Sequence, residues 1–333
     1  RTAIADGRLR PAGEVGQTVA PVVETRDLPD GASAFLGIDP SGACVFYDRG
    51  IRRCRIQAGL GHDFLPAACK HFPRVCVIDD DVDRVTLSHF CPSVARNAFA
   101  AQPPLSIVAA PVALVSSNPL EGLDARGALP PLLRPGMLMD RDGYSHWEQH
   151  AVAVLAGSGS PESALARVAD ATERLRTWRP GAVGLGEATD AAFARARQVS
   201  EVGVSGARSI PPAAIQLDQT VRGAVHAALG ARPAPADASA CFARHVAPAW
   251  SSFAEPVRRY LAAKVFANWC AYQGEGLRTV VWSVVAALAV VRVEAARLCA
   301  QSGRNLDAAL LLDSFRAADL LLTARRVGAE EAM

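Results

Sequence analysis

Cysteines are concentrated in one short part of the chain, and this constrains the fold there more than any other feature. Of the eight cysteines, five lie close together, at Cys44, Cys54, Cys69, Cys76 and Cys91. Such a local concentration indicates either a metal or cluster site or a disulfide framework. Thiolate sulfur is a preferred ligand of zinc and of iron–sulfur clusters. Residues 40–95 are therefore the first place to look for function.

The individual thiols differ in their surroundings. None of their spacings is the Cys-x-x-Cys pair that marks a zinc ribbon, so buried free thiols and disulfides stay open as alternatives. Cys54 lies between arginines and Cys69 precedes Lys70, and nearby positive charge favours the thiolate that binds metals. Cys76 alternates with valines and is predicted to be a packed strand residue. The thiols in apolar helical sequence are predicted to pack in the core, namely Cys241, Cys270 and Cys299.

Interleaved histidines could also ligate zinc, although a single histidine beside such a site more often supports a ligand or lies on the surface. These residues are His62, His71 and His89. A second polar and aromatic group begins a predicted helix farther along the chain, at Tyr144, His146, Trp147 and His150. We expect Trp147 to be buried and the two histidines to lie on the surface. No residue could be given a catalytic role.

Bulk composition excludes two classes of partner. The 333 residues have a net charge of +2, and Lys70 and Lys264 are the only lysines. No basic tract is present, which argues against a nucleic-acid partner. The longest uncharged apolar run, 279–291, is shorter than the roughly 18–20 residues needed to cross a bilayer, so we expect a buried core helix and no membrane partner.

Patterning along the chain predicts an α+β fold that is mainly α. Short strands are predicted at 34–38 and 43–47, and a β-hairpin at 74–78 and 84–88 around an acidic turn. That turn is predicted to be a solvated loop, the alternative being a hard-cation site. A helix is predicted to begin at Ser160-Pro161-Glu162, and three more at about 254–272, 277–301 and 305–325. We predict a cysteine-rich module over 1–102 and a mainly helical domain over 103–333.

Several sequence blocks resemble the flagellin lysine N-methylase family, within the wider group of zinc- or iron-chelating cysteine-cluster proteins of bacteria. The blocks are Gly42-Ala-Cys-Val-Phe-Tyr47, Cys54-Arg-Ile56, Gly61-His-Asp-Phe-Leu-Pro66, Cys69-Lys-His-Phe-Pro-Arg74 and Phe90-Cys-Pro-Ser-Val-Ala-Arg96. Cys-x-x-Phe-Pro-Arg and Cys-Pro-x-x-Ala-Arg are the most specific of them. The helical remainder is also similar, although it carries no distinctive motif.

The resemblance implies a metal centre, a four-iron four-sulfur cluster in the first place and zinc as the alternative. Its ligands would be Cys44, Cys54, Cys69 and Cys91, and Arg74 would pair with the cluster or with an anionic group. The activity implied is methyl transfer from S-adenosylmethionine to lysines of a flagellin-like protein, in the cytoplasm. The competing hypothesis is a metal-binding or redox-sensing module without enzymatic activity, whose helical part docks a partner.

The chain departs from the family pattern at its N-terminal end. The family has an upstream group of closely spaced cysteines, including an adjacent pair, and nothing before Cys44 supplies them. We expect a truncated or degenerate member that keeps four thiols, which is numerically enough for one cluster or one zinc ion. Neither glycine-containing loop, 156–160 or 184–186, has the strand–turn–helix context of a nucleotide-binding motif, and both are predicted to be turns.

Overall fold

The computed structural model describes residues 2–11, 19–24, 34–39, 43–100, 105–109, 122–181, 183–201 and 238–328. Packing divides the chain into two compact units, Arg1–Phe72 and Pro73–Met333. The fold is α+β and mainly α. The predicted module of residues 1–102 spans both units, because the hairpin and Cys91 belong to the second.

The first unit is small and has few regular elements. In chain order they are α1 (Thr2–Ala5), β1 (Val22–Glu24), β2 (Ala34–Leu36), β3 (Tyr47–Asp48), β4 (Arg53–Cys54), α2 (Arg55–Leu60), a 3₁₀ turn (His62–Phe64) and α3 (Ala67–His71). Antiparallel pairs form between β1 and β2 and between β3 and β4. Its core consists of Leu9, Val45, Phe46, Ile56 and Leu65. The strand predicted at 43–47 is reduced to a single bridge between Ile38 and Cys44, followed by β3.

The second unit begins with the predicted hairpin, and this prediction is confirmed. Strand β5 (Arg74–Ile78) pairs antiparallel with β6 (Asp83–Leu87), and Cys76 is buried opposite Val85. A third strand, β7 (Gly122–Asp124), runs parallel to β5 and was not predicted. Helix α4 (Pro92–Asn97) follows the hairpin, and β8 (Leu132–Arg134) pairs with β9 (Met137–Leu138).

Helices make up the rest of the second unit. They are α5 (Arg141–Ala156), α6 (Pro161–Leu175), α7 (Leu185–Glu201), α8 (Ala238–Cys241), a π-helical turn (Phe242–Val246), α9 (Ala247–Trp250), a 3₁₀ turn (Ser251–Phe253), α10 (Ala254–Val265), a 3₁₀ turn (Trp269–Tyr272), α11 (Leu277–Ser302) and α12 (Ala308–Gly328). The predicted start of α6 is confirmed, because the Ser163 N–H donates to the Ser160 hydroxyl at 3.1 Å. The linker expected at 232–236 lies outside the described residues.

One predicted helix is wrong in its extent. The segment 254–272 is interrupted at Phe266, which is extended, and at Ala267, which has a φ of +52°. A residue with a β-carbon rarely adopts positive φ, so surrounding contacts must hold it there. One such contact is the hydrogen bond from the Ala267 N–H to Glu148, described below.

Helix α11 is the central element of the second unit. It packs against α6, α10, α12 and the π-helical turn. By length and composition it could cross a membrane, but 61% of its most apolar window is buried inside the protein. The fully buried Glu294 forms an ion pair with Arg297 at 2.6 Å. The prediction of a buried core helix is confirmed.

Candidate functional site

The predicted metal ligands are divided between the two units. In the first unit, Cys44 is half-buried, Cys54 ends β4 and Cys69 is exposed on α3. Burial raises the pKa of the Cys44 thiol, and the nearby Cys54 thiol raises it further. The thiols of Cys44, Cys54 and Cys69 do not meet as a three-ligand group in the described part of this unit. A shared cluster on these cysteines therefore stays a prediction, and no chemical step is derived through it.

The remaining predicted site residues lie in the second unit. Cys91 directly precedes α4, with Pro92 at the first helical position. Arg74 begins β5, and it lines the cavity described next. Among the histidines, His62 is exposed whereas His71 and His89 are buried. None of the eight cysteines, all of which lie in the described residues, forms a disulfide, and Cys299 is buried in the helical core as predicted.

A cavity of about 770 Å³ opens within the second unit, which is within the usual range for small-ligand sites. Its walls come from β5 and β6, α4, residues 105–109, α5, α10 and Phe266. Most of the lining surface is apolar, with contributions from Val85, Leu87, Val94 and Ile107. One side of α5 supplies the polar wall through Asp142, Ser145, Glu148 and Gln149. A ligand with an apolar body and a polar end would fit this arrangement.

Glu148 is the buried acid of this wall. It is 2% exposed, and its carboxylate accepts from Arg84 Nε at 2.9 Å and from the Ala267 N–H at 2.8 Å. Burial raises the pKa of Glu148 to about 7, despite the opposing charge of Arg84. A carboxyl group poised near neutral pH can exchange a proton with a ligand under physiological conditions.

Arg84 explains why Asp79 of the nearby acidic turn is buried, whereas Asp80, Asp81 and Asp83 are exposed as predicted. Its guanidinium contacts Asp79 at 2.5 Å and the Ser145 hydroxyl at 2.6 Å, in addition to Glu148. Asp79 is buried, and it also accepts the backbone N–H groups of Asp81 and Val82. The prediction of a solvated loop is therefore wrong for Asp79. This carboxylate orients the arginine that faces Glu148.

A second buried carboxylate lies on the other side of His89, which also lines the cavity. Asp319 accepts hydrogen bonds from the backbone N–H of His89 at 2.6 Å and from the Tyr260 hydroxyl at 3.1 Å. It also forms an ion pair with Lys264 at 2.5 Å. Although burial raises it, the pKa of Asp319 is lowered overall, chiefly by the charge of Lys264 and by hydrogen bonds from Lys264 and Ser88. Burial and the charge of Lys264 lower the pKa of His89 to about 3, so its imidazole is neutral.

Glu148 and Asp319 thus have their pKa values moved in opposite directions, a pattern found where two acids have different tasks. Sequence reasoning missed both. The available signal was position, because Glu148 follows Trp147 and falls on the stripe of α5 that is buried at Tyr144, Ala151 and Leu155. A charged residue on the apolar face of a helix needs a buried partner. Asp319 lies on α12 between the buried Phe315 and Ala318 on one side and Leu321 on the other.

Comparisons with known proteins leave the family open. The chain matches no protein-family model, no curated protein and no solved structure. Any activity must therefore be argued from the residues of the chain and from the geometry of the cavity.

Proposed function

We propose that the cavity of the second unit binds the side chain of a protein lysine and that the chain methylates it, with S-adenosylmethionine as methyl donor. The observation that carries the proposal is Glu148, a buried carboxyl with a pKa raised to about 7, in the wall of a largely apolar cavity. Apolar walls suit the four-methylene stem of lysine, and a carboxylate suits its ammonium end. The reaction and a flagellin-like substrate are taken from the resemblance of the cysteine blocks.

Proton transfer is the step in which Glu148 takes part. A lysine ammonium has no lone pair, so it must lose a proton before its nitrogen can attack a methyl group. The ionised Glu148 accepts that proton. The amine then bonds to the methyl carbon, the carbon–sulfur bond of the sulfonium donor breaks, and its electron pair stays on sulfur as a thioether. The product is a methylated ammonium, and Glu148 releases the proton it accepted to water before the next turnover.

The surroundings of Glu148 support this role. Arg84 and the Ala267 N–H hold its two oxygens from different directions. Arg84 is itself fixed by Asp79 and Ser145. The carboxylate therefore keeps one orientation as its protonation changes, which general-base catalysis requires. Neutral His89 also lines the cavity, and its ring offers one nitrogen that can accept a hydrogen bond.

The test is transfer of a labelled methyl group from S-adenosylmethionine to flagellin by the full chain without oxygen. In Glu148→Gln, which keeps the shape of the side chain and removes the base, we expect kcat to fall by about 10²-fold or more. We also expect the inflection near pH 7 in the plot of kcat against pH to disappear. Leu87→Trp, which narrows the cavity, should raise KM for the acceptor. Exposed Glu187→Gln is the matched control and should leave both constants unchanged. Absence of transfer to flagellin and to lysine peptides would refute the proposal.

A second candidate is metal or redox sensing by the first unit, favoured by the proximity of Cys44 and Cys54. Anaerobic purification followed by measurement of iron, zinc, acid-labile sulfide and visible absorption tests it. Iron and sulfide in equal amounts would support a cluster, and zinc alone would support a binding module. The described cysteines form no disulfide, as is usual in a reducing compartment, so we propose a cytoplasmic location for either function.

A further inference from the structure

We propose that His146, His150 and Asp190 form a divalent metal site, with Zn²⁺ as its best-fitting ion, that joins α5 to α7. His146 Nε2 and His150 Nε2 lie 3.0 Å and 2.7 Å from the same oxygen, Oδ1 of Asp190. One ligand atom from each residue lies within 4.8 Å of the other two. This is the one such group of three histidine, cysteine or acidic side chains among the described residues.

The distances from Asp190 Oδ1 to the two histidine nitrogens fit a small metal ion once these atoms move slightly apart. Zinc bonds to imidazole nitrogen and carboxylate oxygen of about 2.0–2.1 Å place tetrahedral ligand atoms about 3.3 Å apart. The distances from Asp190 Oδ1 to His146 Nε2 and His150 Nε2 therefore need to lengthen by about 0.3 Å and 0.6 Å.

Local structure positions each ligand. The two histidines are four residues apart on α5, which places them one above the other on the same face. Asp190 comes from the second turn of α7, which packs on α5. The His150 ring stacks on Phe193, one turn beyond Asp190, with centroids 4.9 Å apart, and Phe193 is 1% exposed. One imidazole is thus held against a rigid wall before any ion binds.

Charge also suits a cation. Asp190 Oδ1 lies within hydrogen-bonding distance of both imidazoles, and an aspartate carboxyl is ionised at neutral pH. Neutral imidazoles offer a lone pair on Nε2 once the ring proton is on Nδ1. Two histidines and one carboxylate form a ligand set that catalytic zinc sites use, with the fourth position left to water or another ligand.

The site is separate from the cavity. Residues two positions apart on an α-helix point about 200° apart, so His146 and His150 lie on the side of α5 opposite Glu148. The three ligand side chains are half-exposed or exposed, so an ion can enter from solvent. Its expected effect is therefore to hold α7 on α5 and to present one open coordination position at the surface.

Cobalt absorption tests the site in the full chain, because Co²⁺ occupies zinc sites and reports its ligands. We expect one Co²⁺ whose ligand-field bands lack thiolate-to-metal charge transfer and are displaced by Zn²⁺, separate from any thiolate-ligated cobalt bound by the first unit. In His146→Gln and Asp190→Asn, which keep hydrogen-bonding capacity, the affinity for this ion should fall by about tenfold or more. Another exposed histidine, His245, pairs with Asn305 instead, and His245→Gln is the matched control.

Hydrogen exchange gives an independent readout. Zn²⁺ should slow amide exchange in α7 of the unaltered protein and have no such effect in Asp190→Asn. The proposal is overturned if the thiolate-free bands persist in both ligand variants, if His245→Gln loses them equally, or if only thiolate-ligated cobalt is seen. Should a ligand variant fail to fold, Asp190→Glu, which keeps the charge and displaces the oxygen, provides the comparison. These outcomes do not depend on methyl transfer, and the two proposals can fail separately.

Discussion

At Glu148, the effect of burial on the pKa of the carboxyl group outweighs that of its hydrogen-bond and ion-pair partners. It has an ion pair with Arg84 and a backbone donor, and yet its pKa is raised to about 7. The physical reason is burial of the carboxyl group, which Arg84, an arginine that also pairs with Asp79, does not fully offset. Transferring a carboxylate from water to the protein interior costs more free energy than an ion pair with a shared arginine returns. The protein keeps an acid that is protonated and ionised in similar amounts near neutral pH.

The pH dependence of stability should reveal this directly. Between about pH 4.5 and 7 the folded protein retains a proton on Glu148 that the unfolded chain has lost, so this group lowers the unfolding free energy as pH rises, by about 3 kcal/mol in total. His89, with a pKa of about 3 when folded and 6.5 when unfolded, acts in the opposite sense, because its stabilisation is lost as pH falls.

In the unaltered protein the two slopes oppose each other between about pH 4.5 and 6.5. Glu148→Gln removes one of them, so its unfolding free energy should rise with pH over this window, by about 1 kcal/mol per pH unit. Urea unfolding at pH 5, 6, 7 and 8 measures the effect. A profile that matches the unaltered protein would contradict the raised pKa.

Asp319 is the opposite case, a buried carboxylate with enough partners to stay ionised. It accepts from Ser88, His89 and Tyr260 and pairs with Lys264. Asp319→Ala should lower the unfolding free energy by about 3–5 kcal/mol, because it leaves buried donors and a cation without their acceptor. Denaturant unfolding checks this. Asp313→Ala, at an exposed position on the same helix, should change the unfolding free energy by less than about 0.5 kcal/mol. An equal loss of stability in the two variants would show that the buried contacts of Asp319 contribute no more than an exposed carboxylate.

At the scale of elements, local patterns determined some features and long-range contacts determined others. The hairpin follows from alternating apolar residues on either side of a turn, and α6 follows from its capping residues. The end of α10 does not follow from its sequence, which continues a helical pattern through Phe266. The chain leaves the helix there and Ala267 donates its N–H to Glu148, more than a hundred residues away.

The start of α11 depends on a glycine for two reasons. Gly276 has a φ of +64°, and a β-carbon there would lie 2.1 Å from the carbonyl oxygen of Leu132. Gly276→Ala should therefore destabilise the protein by about 2 kcal/mol or more, from backbone strain and a steric clash. Gly303 ends the same helix with a φ of +66° and open space around it, so Gly303→Ala should cost only about 1 kcal/mol. Thermal unfolding of both variants separates the two effects, because both have the strain of a positive φ and Gly276→Ala alone adds the steric clash. Equal losses of stability in the two variants would exclude the clash.

At the scale of the molecule, the two units differ in how much core they possess. Among the described residues, the core of the first unit contains five buried apolar residues, whereas the second unit has an extended core built around α11. Small modules with little core usually need a metal, disulfides or a partner to fold. This is the strongest structural reason to keep a metal site among Cys44, Cys54 and Cys69 as a proposal.

Separate expression of the units tests this difference. A fragment of residues 73–333 should unfold cooperatively and keep helical circular dichroism. A fragment of residues 1–72 should lack a cooperative transition until Zn²⁺, or iron with sulfide, is added without oxygen. Cys44→Ser with Cys54→Ser should abolish that response, and Cys241→Ser in the second fragment is the control. A cooperative metal-free transition in the short fragment would show that its core suffices.

The fold class, the hairpin, the capped and apolar helices, and the burial of Cys76 could be predicted from the sequence, because these depend on residues near one another in the chain. The cysteines could also be recognised as a group, although spacing cannot show whether thiols converge. The cavity, the arginine shared between Asp79 and Glu148, and the meeting of His146 and His150 with Asp190 follow from the folded structure alone. Each of these depends on contacts between elements far apart in the chain, and their energies come from burial and charge that no local pattern records.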